Sequence, residues 1–263
     1  MDSAPRRIAD RYELRNPLGR GGMGVVWLAE DTTLQRRVAV KEVAFLAALD
    51  AREREAGRAR VMREARAAAR LNHPNVTAVY DVVQDEGRAW IVMELVDAPT
   101  LADLVARDGP LDPPRAAAIG LAVLDALEAA HAEGIVHRDV KPGNVMVAAS
   151  GRVKLTDFGV AAVQGDPKIT MTGLIVGSPS YMAPEQAREG EATPATDLWG
   201  LGATLYYAVE ATPPFDRGHT MATLNAVVHE PPRPPTRAGA LAPVVSRLLA
   251  KDPGLRPAGR ELR

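Results

Sequence analysis

His137-Arg138-Asp139-Val140-Lys141-Pro142-Gly143-Asn144 is the densest run of polar chemistry in the chain. Upstream of it lie apolar residues at Ile119, Val123, Leu124 and Leu127, a helical spacing within Pro113 to Glu133. Downstream, two short apolar stretches, Asn144 to Val147 and Val153 to Leu155, flank Ser150-Gly151 and read as a hairpin. No packing argument accounts for so many titratable groups on the loop between helix and hairpin. Asp157-Phe158-Gly159 follows at the hairpin's end. Two carboxylates, an amide and a lysine on adjoining loops suit divalent-metal phosphate chemistry, because Mg2+ prefers oxygen ligands and keeps several waters.

A partner for that chemistry stands near the N-terminus. Gly19-Arg20-Gly21-Gly22-Met23-Gly24-Val25-Val26 contains G-x-G-x-x-G-x-V, in which glycines let a turn bring backbone N–H groups close to phosphate oxygens. Alone, the run reads equally as a glycine-rich hairpin turn. A dinucleotide fingerprint would require a helix directly after the third glycine, and here a β-branched strand follows instead. Val38-Ala39-Val40-Lys41 then ends a short apolar strand on an ammonium, which needs an anionic partner or a route to water. In the long helix expected from about Ala51 to Leu71, Val61, Glu64 and Ala68 share a stripe. Glu64 is thus the expected partner of Lys41, with a solvated glutamate as the plainer reading.

The 263 residues suffice for one large domain or two small lobes, and 46% hydrophobic content excludes disorder as the main state. With 32 basic and 33 acidic residues the net charge is −1, so the global balance argues against a nucleic-acid coat or an anionic membrane surface. The absence of cysteine excludes disulfides and thiolate chemistry. No apolar run approaches the roughly 18 residues of a membrane span. Five of the basic residues are lysine, at 41, 141, 154, 168 and 251, and 27 are arginine. A lysine in this background is a choice, since a compact ammonium and a planar fork are not interchangeable at a tight phosphate site. Strands dominate from Tyr12 to about Val96, and helices from Leu101 onward, at about 101–107, 113–133, 196–210, 219–229 and 242–249. The Pro-rich run Glu230 to Pro235 reads as a loop.

Taken in order, the glycine loop, V-A-V-K, helix Glu, H-R-D-x-K-x-x-N, D-F-G and Ala183-Pro184-Glu185 resemble the signature set of the protein-kinase superfamily. The chain looks most like the bacterial Hanks-type serine/threonine kinases, from Tyr12 to Arg263. The resemblance implies an α+β, bilobal fold: an N-terminal extension at 1–11, a β-rich lobe with one long helix at 12–96, and a mainly helical lobe at 97–263 whose final helix is cut short. It implies that Asp139 accepts the substrate hydroxyl proton, Lys141 steadies the transferring phosphoryl group, Asn144 and Asp157 hold Mg2+ or Mn2+, and Lys41, paired to Glu64, orients the ATP phosphates. It implies an adenine pocket from Leu18, Gly19, Gly21, Gly24, Val26, Ala39, Met93 and Met146, with the linker backbone at Glu94 and Val96 bonding the base edge. His137 and Phe158 would pack in an inner column, Glu185 would pair with Arg256, and Asp197 would anchor the loop before Asp139.

The same resemblance implies protein substrates phosphorylated on serine or threonine, since the lysine two residues after Asp139 is not the tyrosine-specific pattern. A nucleotide-binding pseudokinase scaffold is the alternative. Ser178 stands where the family commonly has threonine, which keeps the hydroxyl. Arg138, directly before Asp139, has no evident acidic partner in its own neighbourhood of sequence and invites a phosphate, for which Thr170 and Thr172 are the candidates. Autophosphorylation between two molecules, through a transient homodimer, would follow. A cytoplasmic domain is expected, anchored in the longer protein by a single span after this segment.

Overall fold

Alternation along the strands decides which side chains reach the cleft. In a computed structural model describing residues 6–21, 24–43, 51–158, 179–188 and 190–263, β4 (Arg36–Glu42) sends Val38 and Val40 to one face and Ala39 to the other, all buried. Lys41 follows Ala39 by two residues and opposes Ile91, so strand register carries the ammonium. The sheet is antiparallel in the order β1-β2-β3-β4-β6-β5, formed by β1 (Arg7–Ile8), β2 (Tyr12–Gly21), β3 (Gly24–Asp31), β4, β5 (Val79–Asp85) and β6 (Arg88–Met93). One face packs Ala39, Ile91 and Met93 with Val61 and Ala65 of α1 (Ala51–Ala68). The other buries Ile8, Tyr12, Val38, Val40, Trp90 and Val92.

Two boundaries differ from the sequence expectation. Residues 7 and 8, placed there in an N-terminal extension, pair with Tyr12 and Glu13, and Ile8 is fully buried. The long helix ends at Ala68 rather than about Leu71, because Arg70 and Leu71 donate to carbonyls three residues back as the chain tightens ahead of Pro74.

Past the linker the chain is mainly helical, giving the bilobal α+β architecture. Helix α2 (Leu101–Asp108) is opened by a capping box between Thr100 and Asp103, and α3 (Pro113–Ala132) by Asp112 with two prolines in the first turn. The hairpin of β7 (Val145–Val147) and β8 (Val153–Leu155) lies against α3. After the short α4 (Pro184–Ala187), the buried α5 (Pro194–Glu210) runs through the core beside α3, followed by α6 (Thr220–His229) and α7 (Ala242–Leu248). Gly200 permits the approach of α5 to the loop that bears Asp139: a Cβ there would lie 2.7 Å from the Val140 carbonyl oxygen. Among the described residues no helix is long and apolar enough to cross a membrane.

Candidate active site

Asp197, buried in the first turn of α5, organises the loop from below. Its Oδ1 accepts the Arg138 amide at 2.7 Å, and its Oδ2 accepts the His137 amide at 2.9 Å and His131 Nε2 at 2.7 Å. A carboxylate holding three donors at a helix N-terminus is favoured by both hydrogen bonding and the helix dipole. His137 is fully buried, its Nε2 facing the Thr156 carbonyl at 2.8 Å and its Nδ1 accepting the Asp139 amide at 3.2 Å. With the Phe158 ring edge-on at 4.6 Å, His137 is packed into the column and is not turned to the cleft.

The polar groups converge on Asp139. Lys141 Nζ bonds Asp139 Oδ2 at 2.6 Å, and Asn144 Nδ2 donates to Asp139 O at 2.8 Å and to Oδ2 at 3.1 Å. The Asn144 carbonyl oxygen is the end of that amide left for a cation. Across the cleft Lys41 Nζ meets Asp157 Oδ2 at 2.8 Å. Burial would raise the Asp157 pKa, but the charge and hydrogen bond of Lys41, with smaller contributions from His137 and Lys141, hold it below the ordinary carboxylate range. Arg138 and Asp157 have φ of 71° and 70°, in the left-handed region.

Where Glu64 was the expected partner of Lys41, the ion pair described at Lys41 is with Asp157. Lys41 is neutralised by Asp157 from the other lobe, and Glu64, half-buried on α1, faces Arg138 NH1 at 3.7 Å and Arg63 at 3.5 Å. Arg138 therefore has an acidic partner supplied by the fold, 74 residues away in sequence. The space beside α1 is a cavity of about 130 Å³ lined by Glu64, Ala67, Arg70, Glu133 and Arg138 among others, while Val61, Ala65 and Ala68 of the same helix are buried.

Above the cleft, Val26 pairs in register with Lys41 and opposes Gly19, while Ala39 opposes Met93. Gly21 opposes Gly24 at the turn, and Leu18 is exposed on β2. Met146 bridges to Thr100, and Val147 donates to the Pro99 carbonyl, which ties the lower surface to the linker. Strand register thus makes Gly19, Val26 and Lys41 neighbours on the sheet, as it does Ala39 and Met93. Thr170, Thr172 and Ser178 lie outside the described residues.

Several contributors carry no motif. Lys154 Nζ bonds Glu94 Oε2 at 2.8 Å and the Val76 carbonyl at 2.9 Å, joining the hairpin to the linker. Its signal was the scarcity of lysine. Gln186 and His131 gave none. Remote from the cleft, the fully buried Arg256 makes a bidentate pair with Glu185 at 2.7 and 2.8 Å, and Lys251 lies 4.0 Å from the Phe215 ring, donating to the Val227 carbonyl.

As for ligands, Asp157 and Asn144 offer two oxygen donors, and among the described residues no three His, Cys, Asp or Glu side chains could enclose a metal. That set suits Mg2+ carried partly by water and phosphate oxygens.

Comparison with known proteins places the geometry in context. A family model described as "Protein kinase domain" matches residues 12–263. The "Probable serine/threonine-protein kinase SCO3848" of Streptomyces coelicolor is 40% identical over 263 residues, covering 96% of this chain and 38% of that protein. Serine/threonine-protein kinase PknB of Mycobacterium leprae is 40% identical, covering 95% and 41%, and PknE of Mycobacterium tuberculosis is 41% identical, covering 92% and 43%. The chain thus spans about two fifths of the length of these relatives.

Proposed function

This chain belongs to the protein kinase domain family, whose members use ATP and a divalent metal on protein substrates, and on that premise we propose that it transfers the γ-phosphoryl group of ATP to serine and threonine hydroxyls. The observation that carries the reading is the Asp139–Lys141–Asn144 cluster together with the Lys41–Asp157 pair, close enough for the Lys141 charge to act on Asp157. Bound ATP supplies the phosphoryl group, with its charge offset by Mg2+ or Mn2+. Asp139 accepts the hydroxyl proton, Lys141 stabilises charge on the moving group, and Asn144 and Asp157 hold the metal. Lys41 orients the phosphates. The base lies against Leu18, Gly19, Gly21, Gly24, Val26, Ala39, Met93 and Met146, bonded by the backbone of Glu94 and Val96. Glu64 is left out of the groups acting on phosphate, since its partner is Arg138.

Activation follows from that partner. The Glu64–Arg138 contact is long and partly exposed, so a phosphothreonine with about −1.5 to −2 charges would outcompete it. Thr170 and Thr172 are the residues assigned that role, modified by a second copy of the chain in a transient homodimer. In the longer protein this domain is cytoplasmic and is tethered to the membrane by a span outside the present chain. Incubation with ATP, Mg2+ and a generic basic protein, followed by mass spectrometry, tests the activity. Phosphoserine and phosphothreonine are expected on both proteins; nucleotide binding without transfer would favour the scaffold reading.

A further inference from the structure

Gln186, in α4, lies directly after the Ala183-Pro184-Glu185 run and carries no role in the reading above. Its side chain joins two places far apart in sequence. Oε1 accepts the Ala183 amide at 3.0 Å, and Nε2 donates to the Arg138 carbonyl at 2.9 Å. The amide's orientation is settled by its partners, because a backbone N–H must face the oxygen and a carbonyl must face the nitrogen.

The Arg138 carbonyl and the Asp139 amide belong to one peptide plane. That plane is held at its oxygen by Gln186 and at its nitrogen by His137 Nδ1, 3.2 Å away. The preceding plane is held through the Arg138 amide by Asp197 at 2.7 Å. Between them Arg138 adopts φ 71°, a conformation that a non-glycine residue keeps only when its surroundings impose it. The direction in which Asp139 projects its carboxylate follows from these planes. Of the three anchors, Gln186 is the one borne by α4, which follows the segment between Asp157 and Pro179.

We infer that Gln186 is a positioning residue for phosphoryl transfer: through the Arg138 carbonyl it aims the carboxylate of Asp139, and it couples that aim to the seating of α4. The inference rests on the kinase reading. Displacements near 1 Å can cost roughly 100-fold in rate, and a lost anchor on this plane belongs to that class.

Two substitutions separate the roles of the amide. Gln186→Glu keeps an acceptor for the Ala183 amide and removes the donor to Arg138; Gln186→Met removes both without adding charge. With ATP, Mg2+ and a serine-bearing peptide, both variants should lose about 10- to 100-fold in kcat, with KM for ATP and peptide within about twofold of the wild type. In the nucleotide-free protein the Asp139 amide resonance should shift in both, while the unfolding midpoint of Gln186→Glu stays near that of the wild type. Retained kcat in Gln186→Met would overturn the inference, as would a loss confined to Gln186→Glu, which would report the added charge alone. Absence of transfer by the wild-type chain would strike the kinase reading instead, so the two failures are distinguishable.

Discussion

The ammonium of Lys41 and the carboxylate of Asp157 meet at 2.8 Å, joining a residue near the end of a β-strand in one lobe to a loop in the other. Each neutralises the other where both are shielded from water. In the proposed function the two groups serve opposite charges, Lys41 phosphate and Asp157 a cation.

Removal of Lys41 should therefore change how stability depends on pH. The Asp157 pKa is depressed, so its contribution is complete above the unfolded value of about 3.9 and is lost as pH falls through the lower folded value. In Lys41→Met burial acts without its main counterweight, and the Asp157 carboxyl should titrate above its ordinary value. Urea unfolding across a pH series should show the largest gap between wild type and variant near neutrality, narrowing on acidification. A gap constant with pH would refute the assignment.

Asp139→Asn preserves the shape of the loop and removes the proton acceptor. Phosphoryl transfer should fall by about 100-fold or more, the scale of a positioned acid–base group, with ATP affinity nearly unchanged. Single-turnover transfer and equilibrium nucleotide binding together check this, and undiminished turnover would remove Asp139 from the mechanism.

Gly200→Ala tests the approach of α5 to the loop. An alanine should favour the helix by about 1 kcal/mol, yet its Cβ would meet the Val140 oxygen at 2.7 Å and the Val140 Cβ at 2.8 Å. Overpacking costs about 1–3 kcal/mol, so a net loss of stability is expected together with reduced turnover. Chemical denaturation that finds a gain would show that the loop yields without cost.

Arg256→Met should lower stability by up to about 3 kcal/mol, because it strands a half-buried Glu185 whose carboxyl, despite burial, is otherwise held below its usual range by the Arg256 hydrogen bond. Arg256→Lys should restore little, since one ammonium cannot reproduce the two parallel bonds to Glu185. Thermal unfolding distinguishes the two.

The double change Thr170→Ala with Thr172→Ala should reduce activity at least tenfold and leave stability within about 0.5 kcal/mol. Autophosphorylation by the wild type should accelerate with enzyme concentration, as transfer between molecules requires. A fully active double variant would reject the switch.

How much of this could be read from the chain depends on the range of each interaction. The strand alternation of Val38 to Lys41 and the helical spacing of Ile119 to Leu127 are local, and they carried the two-lobed architecture. The groups around Asp139 are likewise contiguous, so the run from His137 to Asn144 announced them. Lys41 was legible as an ammonium in need of an anion, but Glu64 and Asp157 were both within the motif set, and the choice between them depends on how α1 sits over the cleft. Gln186 was invisible because its bond to Arg138 joins residues 48 apart with no composition cue. Lys154 was marked only as a rare lysine, and its partner Glu94 emerged from the packing of hairpin on linker.

Arg138 and Asp157 both hold a backbone conformation that costs about 1–3 kcal/mol outside glycine. Glycine at Arg138 would relieve that cost while discarding the side chain, whereas glycine at Asp157 would also break the ion pair of the buried Lys41 ammonium, a loss of about 3–5 kcal/mol that exceeds the relief. A search for heat-resistant variants by stability alone should therefore admit changes at Arg138 that disturb the loop before Asp139, while Asp157 is kept by the ion pair it makes with Lys41. Screens that retain turnover as a criterion should find their improvements elsewhere, on the helical lobe and the outer face of the sheet.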